Sequence, residues 1–418
     1  MTRIAVILAF VILSSCPSRA QDALLNRADV QEAMAHIEAE YERFVDKQIQ
    51  ISEIPAPPFK EEERAAFMAA EFDRLGLTDV HIDEEGNVYG QRAGASERVL
   101  VVSAHVDTVF PEGTDVTVRR EGAVLHGPGI VDDVLGLSSL LGLIESLDEA
   151  GIETDQSLLF MGTVGEEGLG DLRGVKYLFN EHPIRDRIDG FISIDGSGMS
   201  GVTHGALGSK RYRITVKGPG GHSWGSFGDV NPAHALGQII ARFTSMPAPI
   251  DPRTSYNVGR IGGGTSINSI PFEVWMEVDM RSYSNEALLE IEALFLETVQ
   301  QGIDAENLFR KSSATSLTVD IEKVGDRPSG TTDENEILVR AAMRATSAMH
   351  EEPTLSTSST DSNIPISLGI PAITIGGGGV GTGSHSLHES FDTTDAYLGL
   401  QRILLTVLAY DEMKKEAQ

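Results

Sequence analysis

One cysteine, Cys16, in 418 residues excludes an internal disulfide and any cysteine-rich metal site. Basic residues are scarce as well: 33 Lys and Arg against 62 Asp and Glu leave a net charge of −29. Nucleic acid and anionic lipid both select a basic face, so neither is an expected partner. Long hydrophobic runs are missing too. The apolar stretch at residues 4–13 is half of the ~20 residues that span a bilayer. What remains is ordinary globular composition, 41% hydrophobic and 23% charged, which excludes disorder over most of the chain. The length suits two or three domains.

Arg3 followed by that apolar run reads as a secretory signal over residues 1–20. Ser18-Arg19-Ala20 before Gln21 offers a signal-peptidase site. Leu13-Ser14-Ser15-Cys16 competes with it as a lipobox at which Cys16 would be lipidated. The expected location is periplasmic or secreted, with a membrane-anchored lipoprotein as the alternative. Cleavage after Ala20 removes the cysteine and suits an oxidising compartment.

Two polar amphipathic helices, at 29–48 and 60–75, flank a break at Pro55, Pro57 and Pro58. Short, continuous, β-branched runs follow at 99–104, 157–162, 190–194 and 371–375, as buried strands of an α/β sheet should look. Between the first two lies a helix at 133–149, with Val134, Leu137, Leu140, Leu141, Ile144 and Leu147 on one face. Residues 209–324 differ. RYRITVKG, PFEVWMEVDMRS and TSLTVDIEKVG alternate polar and apolar, and helical patterns at 231–244 and 285–301 lie between them. Half-buried antiparallel strands with helices on one face describe an α+β module inserted in the chain. The expected division is 21–208 and 325–418 for the main domain and 209–324 for the insert.

The buried runs end in residues that bind metals. Run 99–104 ends in His105 and Asp107, run 157–162 leads to Glu166-Glu167, run 190–194 ends at Asp195, and run 371–375 leads through glycines to His385. Asp132 and Asp133 stand where the 133–149 helix begins. If these strands are parallel neighbours, their carboxyl ends gather two histidines and several carboxylates in one crevice. Imidazole and carboxylate suit zinc, and two zincs ~3.5–4 Å apart share a bridging carboxylate. Singly, each residue has a plainer reading: a hydrogen-bonded core histidine, an aspartate capping a helix, a solvated pair of glutamates.

SAHVDTVFP, GPGIVDDVLG, GTVGEEGLGDLRG, SIDG and GSHSLHE stand in the order found in the carboxypeptidase G, peptidase T and aminoacylase family, which the chain resembles over about residues 40–415. The resemblance implies an α/β fold: a zinc-exopeptidase-like catalytic domain with a mostly parallel sheet between helices, and an inserted α+β lid that mediates dimerisation. It implies two zinc ions, with cobalt or manganese as substitutes. His105 and Asp195 would hold one ion, Glu167 and His385 the other, and Asp132 would bridge. Glu166 would be the general base, and Asp107 would orient the His105 imidazole. His388 is the alternative ligand if the register of the last motif shifts. In the insert, His222 would donate to the substrate carbonyl, often across the dimer, and Asn268 and Arg281 match substrate-contacting positions. Thr360-Asp361-Ser362-Asn363 resembles a loop near the substrate. Val134 and Ser390-Phe391-Asp392 depart from the family pattern, which leaves substrate preference open.

The implied activity is hydrolysis of short peptides, an aminopeptidase of the tripeptidase kind, with carboxypeptidase or N-acyl-amino-acid amidohydrolase as alternatives. Two readings of other classes compete. Gly221-His222-Ser223-Trp224-Gly225 is a literal G-x-S-x-G, with Asp361 and His385 following in triad order. A non-catalytic periplasmic binding protein would keep the fold and lose Glu166 or a ligand. Within 376–383, GGGGVGTG reads as a tight turn carrying His385, because no Lys-Ser/Thr follows it.

Overall fold

The four continuous apolar runs lie side by side in one sheet of the computed structural model, which describes residues 23–309 and 315–417. The expected leader over 1–20, with Cys16, falls outside the described residues. The first part of the chain forms helices α1 (Ala28–Ser52) and α2 (Glu62–Arg74), then strands β1 (Thr78–Ile82), β2 (Val88–Arg92), β3 (Val99–His105), β4 (Arg119–Glu121) and β5 (Val124–His126). Next come α3 (Val134–Glu149), β6 (Ser157–Thr163), α4 (Arg173–Asn180), β7 (Ile188–Ile194) and β8 (Gly201–Ala206). A second group is β9 (Gly208–Lys217), β10 (Gly221–His222), α5 (Pro232–Phe243), β11 (Thr254–Gly263), β12 (Ser269–Ile270), β13 (Glu273–Ser282), α6 (Asn285–Phe309) and β14 (Thr318–Arg327). The chain closes with β15 (Gly330–Thr331), α7 (Ile337–Ala348), β16 (Thr354–Ser358), α8 (Asn363–Ser367), β17 (Ala372–Ile375), β18 (Val380–Thr382), β19 (Ser390–Asp392) and α9 (Tyr397–Glu416).

The large sheet runs β1-β2-β6-β3-β7-β17-β8-β15, with β16 also against β8. Its centre, β6-β3-β7-β17, is parallel. Every residue of β3 and β6 is buried, because helices cover both faces. Leu100, Val102 and Ala104 of β3 pack with α1, α3, α7 and α9, while Val99 and Val101 pack with α4. α3 is buried nearly all round, and Asp133 caps it by accepting the Gly136 N–H.

The second group has its own sheet, β11-β13-β9-β14, antiparallel throughout. β13 alternates without a break: Val274, Met276, Val278 and Met280 point into a core shared with α5 and α6. Asp279 and Arg281 therefore lie on the opposite face. The strands reach Gly208 and Arg327, beyond the expected 209–324, and α6 runs past 301 to Phe309. β11 went unread because Gly259 and a register shift between Val258 and Arg260 break its alternation.

A further sheet, β18-β19-β5-β4, packs Leu125 and Phe391 against Val45 of α1 and Leu135 of α3. It anchors the glycine-rich turn: Gly379 has φ +60°, and a Cβ there would come within 2.6 Å of the Phe391 ring. No helix among the described residues is long and apolar enough to cross a membrane.

Candidate metal centre

Because β6, β3 and β7 are parallel neighbours, their carboxyl ends open on one edge. His105 ends β3, Glu166 and Glu167 follow β6, and Asp195 follows β7. Asp132 stands just before α3, and the turn between β18 and β19 brings in His385. Asp132 Oδ1 lies 2.9 Å from His105 Nε2, and its Oδ2 lies 3.1 Å from His385 Nε2. His385 Nε2 is also 2.8 Å from Glu167 Oε1. Two donor groups result, His105–Asp132–Asp195 and Asp132–Glu167–His385, with ligand atoms within 4.8 Å of one another and Asp132 common to both. His105 also groups with Glu166 and Glu167. His388 is exposed and belongs to none of these groups.

Charge is concentrated here. Burial opposes charging His105, but its contacts with Asp107 and Asp132 outweigh that and hold the imidazole well above its usual pKa. Hydrogen bonds to Asp132 and Glu167 push His385 up to about 10. Burial and the Asp132 charge raise Asp195 to about 7, and burial raises Glu166 well above the carboxylate range despite an arginine beside it. Three carboxylates (Asp132, Glu167 and Asp195) and two imidazoles converging at one sheet edge form an N/O donor set that fits two divalent ions of the zinc, cobalt or manganese type.

Several residues outside the expected ligand set support the centre. Glu389 is fully buried and accepts the N–H groups of Gly129, Val131 and Asp132 at 2.8–3.0 Å, so it fixes the loop that carries Asp132. The buried Arg64 donates to the carbonyl of Val106, between His105 and Asp107. Asp107 faces both the imidazole and the glutamate pair. The His105 Nδ1 is held by the Asp107 carbonyl at 3.0 Å, and the carboxylate is 3.6 Å away. That carboxylate also accepts the N–H groups of Glu166 and Glu167 at 3.1 and 2.9 Å.

A pocket of about 410 Å³ opens over these acids and is walled by arginines. Arg211 and Arg281 reach it from β9 and β13, each giving its Nε to one oxygen of Asp279, at 3.0 and 2.7 Å. Arg327, at the end of β14, donates to Glu166 Oε1 at 3.0 Å. Thr360 lines the pocket, whereas Asp361 is buried behind it. Burial raises Asp361 to about 6, and it accepts the Thr163 hydroxyl at 2.5 Å. His222 and Asn268 are not brought to this pocket within one chain. Both are exposed on the β10–β12 pair, near the exposed Trp224, Phe227 and Ile267. His222 Nδ1 accepts the N–H groups of Trp224 and Gly225, which puts its proton on Nε2.

The serine-hydrolase constellation does not form. Ser223 follows a two-residue strand and is exposed, and the next helix starts only at Pro232. His385 and Asp361 are bonded to Asp132, Glu167 and Thr163.

The chain matches peptidase family M20/M25/M40 over residues 101–409. A succinyl-diaminopimelate desuccinylase of Corynebacterium glutamicum is 26% identical over 257 residues, which cover 59% of this chain and 68% of that enzyme. Two solved structures share the fold. Aminopeptidase PepT of Bacillus cereus has a TM-score of 0.69 and 22% identity, covering 88% of this chain and 98% of its own. A tripeptidase of Staphylococcus aureus has a TM-score of 0.70 and 22% identity, covering 89% and 98%.

Proposed function

We propose that this chain, which belongs to peptidase family M20/M25/M40, is an exported two-zinc exopeptidase that cleaves short peptides from the amino end. The observation that carries the reading is the pair of donor groups sharing Asp132, one carboxylate oxygen toward each histidine. His105 and Asp195 would hold one ion, Glu167 and His385 the other, with Asp132 between. Bound there, the ions would acidify water and polarise the scissile carbonyl.

The chain's own groups supply the rest. Glu166 accepts a proton from the attacking water and delivers it to the leaving nitrogen. Asp107 holds the backbone of Glu166 and Glu167, and Glu389 holds that of Asp132. Arg281, with its Nε fixed on Asp279, presents its terminal nitrogens to a substrate carboxylate. His222 carries its proton on Nε2, ready to stabilise an oxyanion, and a homodimer through the inserted domain would bring it, with Asn268, from a second copy.

The aminopeptidase preference is supported by the GSHSLHE ending and by the likeness to an aminopeptidase and a tripeptidase. Hydrolysis of an N-acyl amino acid is the second reading, favoured by the arginine wall and the desuccinylase relative. The test is metal content of the mature protein together with hydrolysis of free, N-blocked and C-amidated tripeptides, with and without chelator. Two metals per chain, chelator-sensitive cleavage and loss on N-blocking are expected. Cleavage by metal-free protein would overturn the mechanism. Cleavage of N-blocked substrates alone would move the assignment to the second reading.

A further inference from the structure

Glu166 is gripped from outside the sheet that carries it. Arg327 is the last residue of β14, where the 208–327 segment rejoins the large sheet. Its Nη1 donates to Glu166 Oε1 at 3.0 Å and to Ser359 Oγ at 3.1 Å, and its Nη2 donates to the Glu166 carbonyl. One guanidinium thus holds both the carboxylate and the backbone of one residue, a fork that a planar five-donor group can make and an ammonium cannot. Arg327 is itself 3% exposed, so its own position is set by packing. Two more contacts tie the same loop to the roots of that segment. Arg211 on β9 donates to the Gly168 carbonyl at 2.6 Å, and the Asp326 N–H lies 3.0 Å from both carboxylate oxygens of Asp171. The neighbouring Glu167 faces His385 instead, at 2.8 Å. The two glutamate side chains are therefore held by different parts of the molecule.

We infer that Arg327 is a positioning residue for the general base. It occupies Glu166 Oε1 and leaves Oε2 to take the proton, so the seating of the 208–327 segment sets the geometry of catalysis. The inference rests on the reading of Glu166 as the base. Removing Arg327 frees the Glu166 side chain while leaving the donor groups of the metal centre in place. A misplacement of about 1 Å in a reacting group costs on the order of 100-fold in rate.

The test is steady-state kinetics and metal content of full-length, metal-replete Arg327→Gln, Arg327→Lys and Glu166→Gln, on the best-cleaved unblocked tripeptide. For Arg327→Gln, kcat should fall about 100-fold with KM within about threefold and metal content unchanged, the pattern of an interaction made only in the transition state. Arg327→Lys should recover about tenfold of that loss, because it restores charge without the fork. If the glutamine variant does not fold, the lysine variant alone should still show lowered kcat at constant KM. A raised KM with kcat retained would overturn the inference and make Arg327 a substrate anchor. Metal loss or unchanged kinetics would overturn it equally. Wild-type turnover in Glu166→Gln would sink the general-base reading instead. An inactive Glu166→Gln beside a fully active Arg327→Gln would sink the Arg327 inference alone.

Discussion

Asp132 can serve two histidines only if its backbone is held still, and that is the work of Glu389. Three N–H groups from residues 129, 131 and 132 converge on the Glu389 carboxylate in a fully buried position. Glu389→Gln removes the charge from that nest while keeping the size of the side chain. It is expected to weaken metal binding about 10–100-fold, as disrupted outer partners of metal ligands do, and competition with a chelator measures this. Glu166→Gln should behave in the opposite way, keeping two metals and losing about 10²–10⁴ in kcat. Metal loss in that variant would show that a ligand had been taken for the base.

At the scale of elements, the least regular segments do the most positioning. The turn from Gly376 to His385 leaves β17, pairs briefly as β18 and is locked against Phe391. Gly379→Ala puts a Cβ into a left-handed position, which costs about 1–2 kcal/mol for the backbone alone, and drives it against the Phe391 ring. Lowered stability in denaturant together with lowered metal content is expected. Normal metal content would detach the turn from the site. The β10–β12 pair offers a contrast. Ser223 is exposed there and has no triad around it. Ser223→Ala should stay within about 0.5 kcal/mol of wild-type stability and leave turnover unchanged, whereas a collapse of kcat would revive the serine mechanism.

For the molecule as a whole, two sheets meet at one pocket: acids on the edge of the large sheet, arginines on the outward face of the small one. In a chain with net charge −29, that juxtaposition places cationic groups where an anionic substrate end would sit. The acids crowd together and repel, so cations that bind only the folded state should raise stability, by about 2.7 kcal/mol at one hundred times the dissociation constant. Dialysis against chelator is expected to lower Tm and abolish cleavage, with zinc restoring both. Unchanged Tm would mean that the acids do not hold metal. The proposed export has its own check: the mature chain should begin at Gln21, and intact mass will show this or a lipidated Cys16.

The parallel centre and the donor residues were legible in the sequence because both are local. A fully buried strand must be a continuous apolar run, and residues at its end must lie at the sheet edge, so His105, Glu166, Glu167 and Asp195 could be read from their neighbours. Asp132 and His385 followed from a helix start and a resemblance of motif. The supporting roles of Arg327, Glu389 and Arg64 were not legible, since each reaches through buried contacts to a partner 42–260 residues away. For Asp107 the resemblance pointed only to the imidazole, while the parallel pairing of β3 and β6 also brings its carboxylate to the Glu166 and Glu167 backbone. Sequence alone determined which donors could gather at one edge, because residue type and strand pattern decide that locally. Only the tertiary structure decided what holds those donors in place, because their supports come from distant elements whose approach depends on packing and leaves no periodic trace.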